Sequence, residues 1–162
     1  MKPINYSQRV SYRCPPSFYA RMQWLGVLLT SSGLAPGDAV TLEVRGRKSG
    51  KIRRTPVIWL KHRGDEYLVA LAGESNWVRN VRAAGGLAAI RRRGTHQVRL
   101  IELPVEQRPP IIDAYLKRNG RQGTKAGTNE AQYYFGLSEK PSLQEITPIA
   151  EFYPVFKVEP VS

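Results

Sequence analysis

Cationic residues are crowded into one short stretch of the sequence, RGRKSGKIRR, at residues 45–54. Six of its ten residues are Lys or Arg, whereas the whole chain has 25 of them in 162 residues. Like charges at this spacing repel one another, so the crowding indicates an anionic partner. Gly46 and Gly50 predict a tight turn between two strands. The stretch therefore predicts an anion-binding hairpin turn, and the alternative is a basic turn that is only solvated.

A turn of this composition has the groups that bind phosphate. Successive backbone N–H groups around Gly50 can surround an anion, and the Ser49 hydroxyl can donate a hydrogen bond to it. Arg47 and Arg53 can add forked, charge-assisted contacts. A nucleoside triphosphate loop is excluded, because the glycine spacing is one residue too short and isoleucine, not Ser or Thr, follows the lysine.

The segment NWVRNVR is a second candidate region, and it is predicted to be helical with Ser75 as its N-cap. Trp77 belongs to its apolar side, where a tryptophan is more often core than cofactor contact. Arg79 and Arg82 lie three residues apart on another side, with Asn80 beside the first of them. By itself the segment does not distinguish a core helix from a helix beside a ligand.

Other groups of residues carry weaker signals. Tyr133 and Tyr134 could donate protons at an active site, although adjacent tyrosines are usually packing. The three arginines at 91–93 suggest nucleic acid, but no interleaved aromatic residues could stack on bases. One Cys and two His provide no zinc-type ligand cluster. A metal site is therefore not predicted.

Size and composition predict one globular domain over residues 1–162, with 41% hydrophobic residues. No apolar run is long enough to span a membrane, and a single cysteine suits a reducing compartment, so a cytoplasmic protein is expected. The net charge is +12, and residues 1–99 hold 18 cations against 5 anions. The anionic partner is therefore expected on this part of the chain.

The elements that must position these residues are mostly strands. An amphipathic helix is predicted over about 17–31 and another helix from Pro109 to about residue 119, while residues 120–130 are predicted to be a mobile loop. The predicted strands are AVTLEVRG, RRTPVIWLKH, EYLVALA, LAAIRRR, QVRLIELP and EFYPVFKV. This pattern of strands with hairpin turns and few helices predicts an α+β fold and a small barrel.

The order of these pieces resembles the deazaflavin (coenzyme F420)-dependent nitroreductase and quinone reductase family. The motifs that carry the resemblance are GRKSGKIRRTPV, GESNWVRNVRAAG and the closing PVFKVEP, over roughly residues 38–120 and 148–160. The resemblance implies a split β-barrel of about six mostly antiparallel strands with flanking helices. It also implies that reduced F420, an 8-hydroxy-5-deazaflavin, passes a hydride to an electron-poor acceptor such as a quinone, an enone or a nitro compound.

The resemblance also implies roles for individual residues. The turn would hold the cofactor phosphate, Thr55 and Pro56 would begin the strand along the deazaflavin ring, and Arg79 or Arg82 could meet the glutamate tail. Tyr133 and Tyr134 are the candidate proton donors. The residues assigned to the cofactor are Arg47, Lys48, Ser49, Gly50, Arg53, Arg54, Thr55, Pro56, Ala72, Gly73, Trp77, Arg79, Asn80 and Arg82.

Several alternatives stay open at this point. The same barrel could hold FMN or haem, although one FMN phosphate accounts less well for the surplus of positive charge. A fatty-acyl or cofactor carrier without turnover is a second alternative, and a basic nucleic-acid module is a remote third. The chain is expected to be a monomer or a homodimer, and contact with the inner face of a membrane is left open.

Overall fold

The computed structural model describes Leu29 and residues 37–162. The helix predicted over about 17–31 lies outside the described residues except at Leu29. The assignment of residues 1–162 to a single domain stays a prediction.

Seven antiparallel strands form one curled sheet with the order β2-β1-β5-β6-β7-β4-β3. β2 and β4 are not neighbours in the sheet, yet they come into contact, because the sheet curls into a half-barrel. The strands are β1 (Ala39–Arg45), β2 (Ile52–Ile58), β3 (Leu60–His62), β4 (Asp65–Val69), β5 (Leu87–Arg91), β6 (Thr95–Glu102) and β7 (Val155–Pro160).

The alternation of apolar residues in β1 decides which face of the hairpin looks into the barrel. Val40, Leu42 and Val44 are buried in the barrel core. In the antiparallel register Leu42 lies opposite Thr55 and Val44 lies opposite Arg53. Because side chains of directly paired residues share a face, Arg53 and Thr55 lie on the inner face, at the end of the barrel where the basic turn is.

Within residues 37–162, four α-helices and several shorter helical turns flank the sheet. The α-helices are α1 (Asn76–Ala83), α2 (Arg108–Lys117), α3 (Lys125–Glu130) and α4 (Leu143–Ile146). A single π-helical turn, Ala131–Phe135, continues α3, and a 3₁₀ helix, Thr147–Phe152, continues α4. Of these four helices, only α1 packs into the barrel core, where Val78 and Val81 are buried.

The hydrophobic residues that the structure describes form two cores. One fills the concave side of the sheet and includes residues from β1, β5, β6, β7 and α1. The other lies between β3, β4, the helices α2 and α4, and the π-helical and 3₁₀ turns that follow α3 and α4. Neighbouring residues of β4 alternate between them, since Tyr67 and Val69 belong to the helical core and Leu68 to the barrel core. The strand β4 therefore joins the two layers.

The predicted fold class is confirmed: the protein is α+β with a split-barrel sheet, although the described part of the chain forms seven strands and not about six. The single strand predicted over RRTPVIWLKH is divided, because Trp59 interrupts it between β2 and β3. There the backbone N–H of Trp59 donates to the Asp38 carbonyl at 2.8 Å, and neither residue belongs to a strand.

The prediction of a loop at residues 120–130 is wrong for its second half, which forms α3. Thr124 caps this helix by accepting a hydrogen bond from the Gly127 N–H at 3.1 Å. A Cβ at Gly127 would lie only 2.1 Å from the Arg121 carbonyl oxygen. Glycine here therefore permits a close backbone approach and does not signal a loop.

Candidate functional site

The basic stretch forms the turn between β1 and β2, as predicted. The Gly46 N–H donates to the Lys51 carbonyl and the Gly50 N–H donates to the Gly46 carbonyl, both at 2.8 Å. Gly50 has a φ of +68°, which favours glycine because it has no Cβ. These bonds hold the exposed side chains of Arg47, Lys48 and Ser49 at the tip of the hairpin.

Ser49 is the hydrogen-bonding centre of the turn. Its Oγ accepts from the Lys51 backbone N–H at 3.3 Å and from Arg53 Nη2 at 3.4 Å. Because both partners donate, the hydroxyl hydrogen of Ser49 is left to donate to a ligand. The turn thus presents a hydroxyl donor beside the Arg53 guanidinium.

Arg47 connects the turn to α1. Asn80 Oδ1 accepts from the Arg47 backbone N–H at 3.2 Å and from Arg47 Nη1 at 2.8 Å. Asn76 Oδ1 accepts from Arg47 Nη2 at 3.3 Å. Asn76 is the first residue of α1, so the positive end of the helix dipole lies close to the same arginine.

Between the hairpin turn and α1 lies a cleft of about 570 Å³, a volume in the range of small-molecule sites. Trp77 forms part of its wall and also packs against Phe156 of the barrel core, with ring centroids 5.5 Å apart. The residues lining the cleft are Gly46, Arg47, Lys48, Ser49, Ile52, Arg53, Arg54, Thr55, Asn76, Trp77 and Asn80.

The cations around the cleft differ in their partners. Arg54 Nε contacts Glu43 Oε1 at 2.7 Å, and Arg91 contacts the same oxygen at 3.2 Å. Burial acts to raise the pKa of Glu43, but these arginines outweigh it and hold the pKa below its ordinary value. Arg47, Lys48, Lys51 and Arg53 have no acidic partner within residues 37–162. The cleft is therefore bordered by uncompensated positive charge.

Arg82 lies on another side of α1 and serves a different set of contacts. Its guanidinium contacts Glu74 at 2.6 Å and Glu102 at 2.8 Å, and Arg108 contacts Glu102 at 3.2 Å. These ion pairs fasten α1 to β6 and α2. Arg79 is exposed and has no ion pair among the residues that the structure describes.

The structure brings most of the predicted phosphate residues together and separates others. Eight residues predicted from the sequence line the cleft: Arg47, Lys48, Ser49, Arg53, Arg54, Thr55, Trp77 and Asn80. Gly50 shapes the turn without lining the cleft, and the remaining predicted residues, Pro56, Ala72, Gly73, Arg79 and Arg82, also lie outside its lining. The lining residues that sequence reasoning missed are Gly46, Ile52 and Asn76. The spacing of Asn76 and Asn80, four residues apart on one helix face, was the available signal.

Tyr133 and Tyr134 are not among the residues that line the cleft. They lie in the π-helical turn after α3, with their rings edge to face at 4.8 Å. Tyr134 packs against the helical core, and its carbonyl accepts a hydrogen bond from the Tyr153 hydroxyl. Their assignment as proton donors stays a prediction.

Within the described residues no helix has the length and apolarity needed to cross a membrane. In the same part of the chain, no three His, Cys, Asp or Glu side chains come together as metal ligands would.

Solved structures share the overall fold. One whose description reads only "domain-swapped dimer" has a TM-score of 0.52 and 19% identity, covering 90% of this chain and 100% of its own. The protein Atu2129, of unknown function, from Agrobacterium tumefaciens str. C58 has a TM-score of 0.53 and 15% identity, covering 92% of this chain and 60% of its own. No curated protein sequence matches this chain.

The fold and the cleft define a split-barrel protein with a cationic cleft between a hairpin turn and a helix. The model of the F420H(2)-dependent quinone reductase family matches residues 19–109, more than half of the chain, and the chain belongs to this family. The protein is thus an F420-dependent oxidoreductase whose cofactor is coenzyme F420, as the resemblance of the sequence motifs implied.

Proposed function

We propose that the cleft between the hairpin turn and α1 is the F420 site and that a quinone is the hydride acceptor. The observation that carries the proposal is the uncompensated charge of Arg47, Lys48 and Arg53 around one cleft, with Lys51 exposed on the same turn. F420 carries a phosphodiester and a tail of glutamates, so several cations without acidic partners suit it better than they suit FMN with its single phosphate.

The residues of the cleft fit the chemical parts of the cofactor. The turn offers the Ser49 hydroxyl and the Arg53 guanidinium to a phosphate, within one hydrogen-bonded unit. Thr55 faces the cleft on the inner side of β2, and Trp77 provides an aromatic wall. Lys48 and Lys51 are exposed, which suits contact with a flexible anionic tail. Arg54 shares its charge with Glu43 and contributes less.

The chemistry that F420 supplies when bound is a hydride, and the protein supplies orientation, charge and shielding from water. Reduction of a quinone to a hydroquinone takes this hydride, which brings two electrons and one proton, and one further proton from water or a side chain. We propose Tyr133 or Tyr134 for that proton on the strength of the sequence resemblance. Enones and nitro compounds are electron-poor acceptors of the same kind and are the second choice.

A titration with F420, followed by tryptophan fluorescence, tests the binding half of the proposal. Saturable binding that is tighter than binding of FMN, and that weakens with added salt, supports the F420 site. A preference for FMN, or no binding at low salt, would contradict it.

A turnover assay tests the acceptor. Reduced F420 is mixed with a short-chain benzoquinone, and the oxidation of the deazaflavin is followed by its absorbance with and without the protein. Enzyme-dependent oxidation supports the quinone acceptor, and an aryl nitro compound and an enone assayed in parallel rank the acceptor classes. Binding of F420 without turnover of any acceptor would instead indicate a cofactor carrier.

A further inference from the structure

We infer that Asn76 and Asn80 are positioning residues that act on the cofactor through Arg47 and not by touching it; this rests on the proposed F420 site. Together the two amides are called the amide clamp. The inference adds a role that the sequence resemblance does not contain, since the resemblance places Asn80 only beside the site.

The amide oxygen of Asn80 is already occupied by Arg47. Asn80 is only 5% exposed, and its Oδ1 accepts hydrogen bonds from both the backbone N–H and the Nη1 of Arg47. The two bonds fix the backbone and the guanidinium of one residue at once. The oxygen therefore has no capacity left for a third donor at good geometry.

The clamp leaves Arg47 able to bind an anion. A guanidinium has five N–H donors, and the amides take only one on Nη1 and one on Nη2. Three donors remain for a ligand. An amide oxygen also accepts these bonds without cancelling the charge, whereas an aspartate at either position would neutralise the arginine. Asparagine thus orients the cation and keeps its charge available.

Orientation in advance has a measurable consequence for affinity. A long arginine side chain loses rotamer entropy when a ligand immobilises it. The clamp holds the Arg47 side chain before the ligand arrives. The rotamer entropy is therefore lost when the protein folds and not when the ligand binds. Removing the clamp should weaken cofactor binding only as long as Arg47 is present.

A double-mutant cycle on F420 affinity tests this dependence. We expect Arg47→Ala to weaken binding by about 30-fold and Asn80→Ala by about 10-fold, with the double variant within about 2-fold of Arg47→Ala alone. Asn80→Ala removes no charge, yet the salt dependence of its affinity should become shallower, because Arg47 is no longer held at the anion. Asn129→Ala, an exposed asparagine of α3, is the matched control and should bind F420 like the wild type.

If Asn80→Ala does not fold, the same cycle can be measured with Asn76→Ala. Asn76 is exposed, so Asn76→Ala should fold, and its effect should also vanish in the Arg47→Ala background. Effects that multiply in either double variant would mean that the amide contacts the cofactor itself and would overturn the inference. An Arg47→Ala variant with unchanged affinity would overturn it as well. Failure of the wild type to bind F420 would instead overturn the proposed function.

Discussion

The cations of the basic turn are close in sequence but differ in what they can do for a ligand. Arg53 and Arg54 are neighbours in β2, yet they lie on opposite faces of the strand. Arg54 lies directly across from Glu43 and pairs with it at 2.7 Å. Arg53 faces the barrel side, contacts Ser49 and has no acidic partner within residues 37–162. The face of the strand on which an arginine lies therefore decides whether it forms an ion pair within the protein, as Arg54 does, or can bind an anion, as Arg53 can.

Replacing Arg53 with alanine should weaken F420 binding by about 10-fold or more, because a charge-assisted contact to phosphate is lost in a partly enclosed cleft. The change should also make the affinity less sensitive to salt. Both quantities can be measured by the same fluorescence titration at several salt concentrations.

Arg99→Ala is the control for that prediction. Arg99 is also an exposed strand arginine with no ion pair in the described chain, but it lies in β6, three strands away from β2. Arg99→Ala removes the same charge from the molecule as Arg53→Ala does, without changing the cleft. Equal losses of affinity in both variants would show that net charge, and not the turn, determines binding.

How far the site could be predicted depended on whether its residues were neighbours in the sequence. The turn from Arg47 to Thr55 could be recognised because its cations, serine and glycines are contiguous. The bond between Arg47 and Asn80 joins residues 33 positions apart, and no local pattern encodes that distance. The same limit applies to Arg82: the family resemblance suggested a contact with the cofactor tail, but Glu74 and Glu102 occupy its guanidinium in the folded chain.

At the scale of the elements, alternation of apolar residues located the strands well, whereas glycine was an unreliable guide. Six predicted strands correspond to the seven observed, with β2 and β3 separated by Trp59. The predicted helix at NWVRNVR is α1, but the Ser75 hydroxyl makes no capping bond. Gly127 was part of the predicted loop. A close approach to the Arg121 backbone requires glycine there, and this approach depends on tertiary packing that the sequence does not show.

The ion-pair network at Glu102 fastens α1 to β6, so its effect on stability should depend on pH. Hydrogen bonds from Arg82, and the charges of Arg82 and Arg108, outweigh burial and hold the pKa of Glu102 below its ordinary value of about 4.5. A carboxylate with a lowered pKa stabilises the fold above the ordinary value, and this contribution is lost as the pH falls through the lowered pKa.

Glu102→Gln should therefore lower the free energy of unfolding by about 1–3 kcal/mol near neutral pH and by progressively less in acid. Urea unfolding of both proteins over a series of pH values measures the difference. Glu139→Gln, at an exposed glutamate with no ion pair in the described residues, is the control and should change little at any pH. A difference between wild type and Glu102→Gln that does not shrink in acid would contradict the ionised network.

At the scale of the whole molecule, the positive charge is distributed unevenly. The net charge is +12, and residues 100–162 hold 7 cations against 8 anions, so the surplus belongs to the part of the chain that builds the cleft. The ion pairs of the helical layer, such as Arg118 with Glu130 at 2.8 Å, compensate charge locally. Within residues 37–162 the cations of the basic turn other than Arg54 form no ion pair. The molecule should therefore attract anions toward one end of the barrel.

Association with F420 should accordingly be fast and sensitive to salt. A concentrated positive field raises the rate at which an anionic ligand arrives, and salt screens this field, so the association rate should fall by about 5-fold or more between about 50 mM and 500 mM NaCl. Dissociation should change less, because it breaks close contacts that salt screens weakly. Stopped-flow tryptophan fluorescence separates the two rates. If the turn and not the net charge directs the cofactor, Arg53→Ala should slow association more than Arg99→Ala, although both remove one charge. An association rate that is independent of salt would mean that the charged turn plays no part in capture.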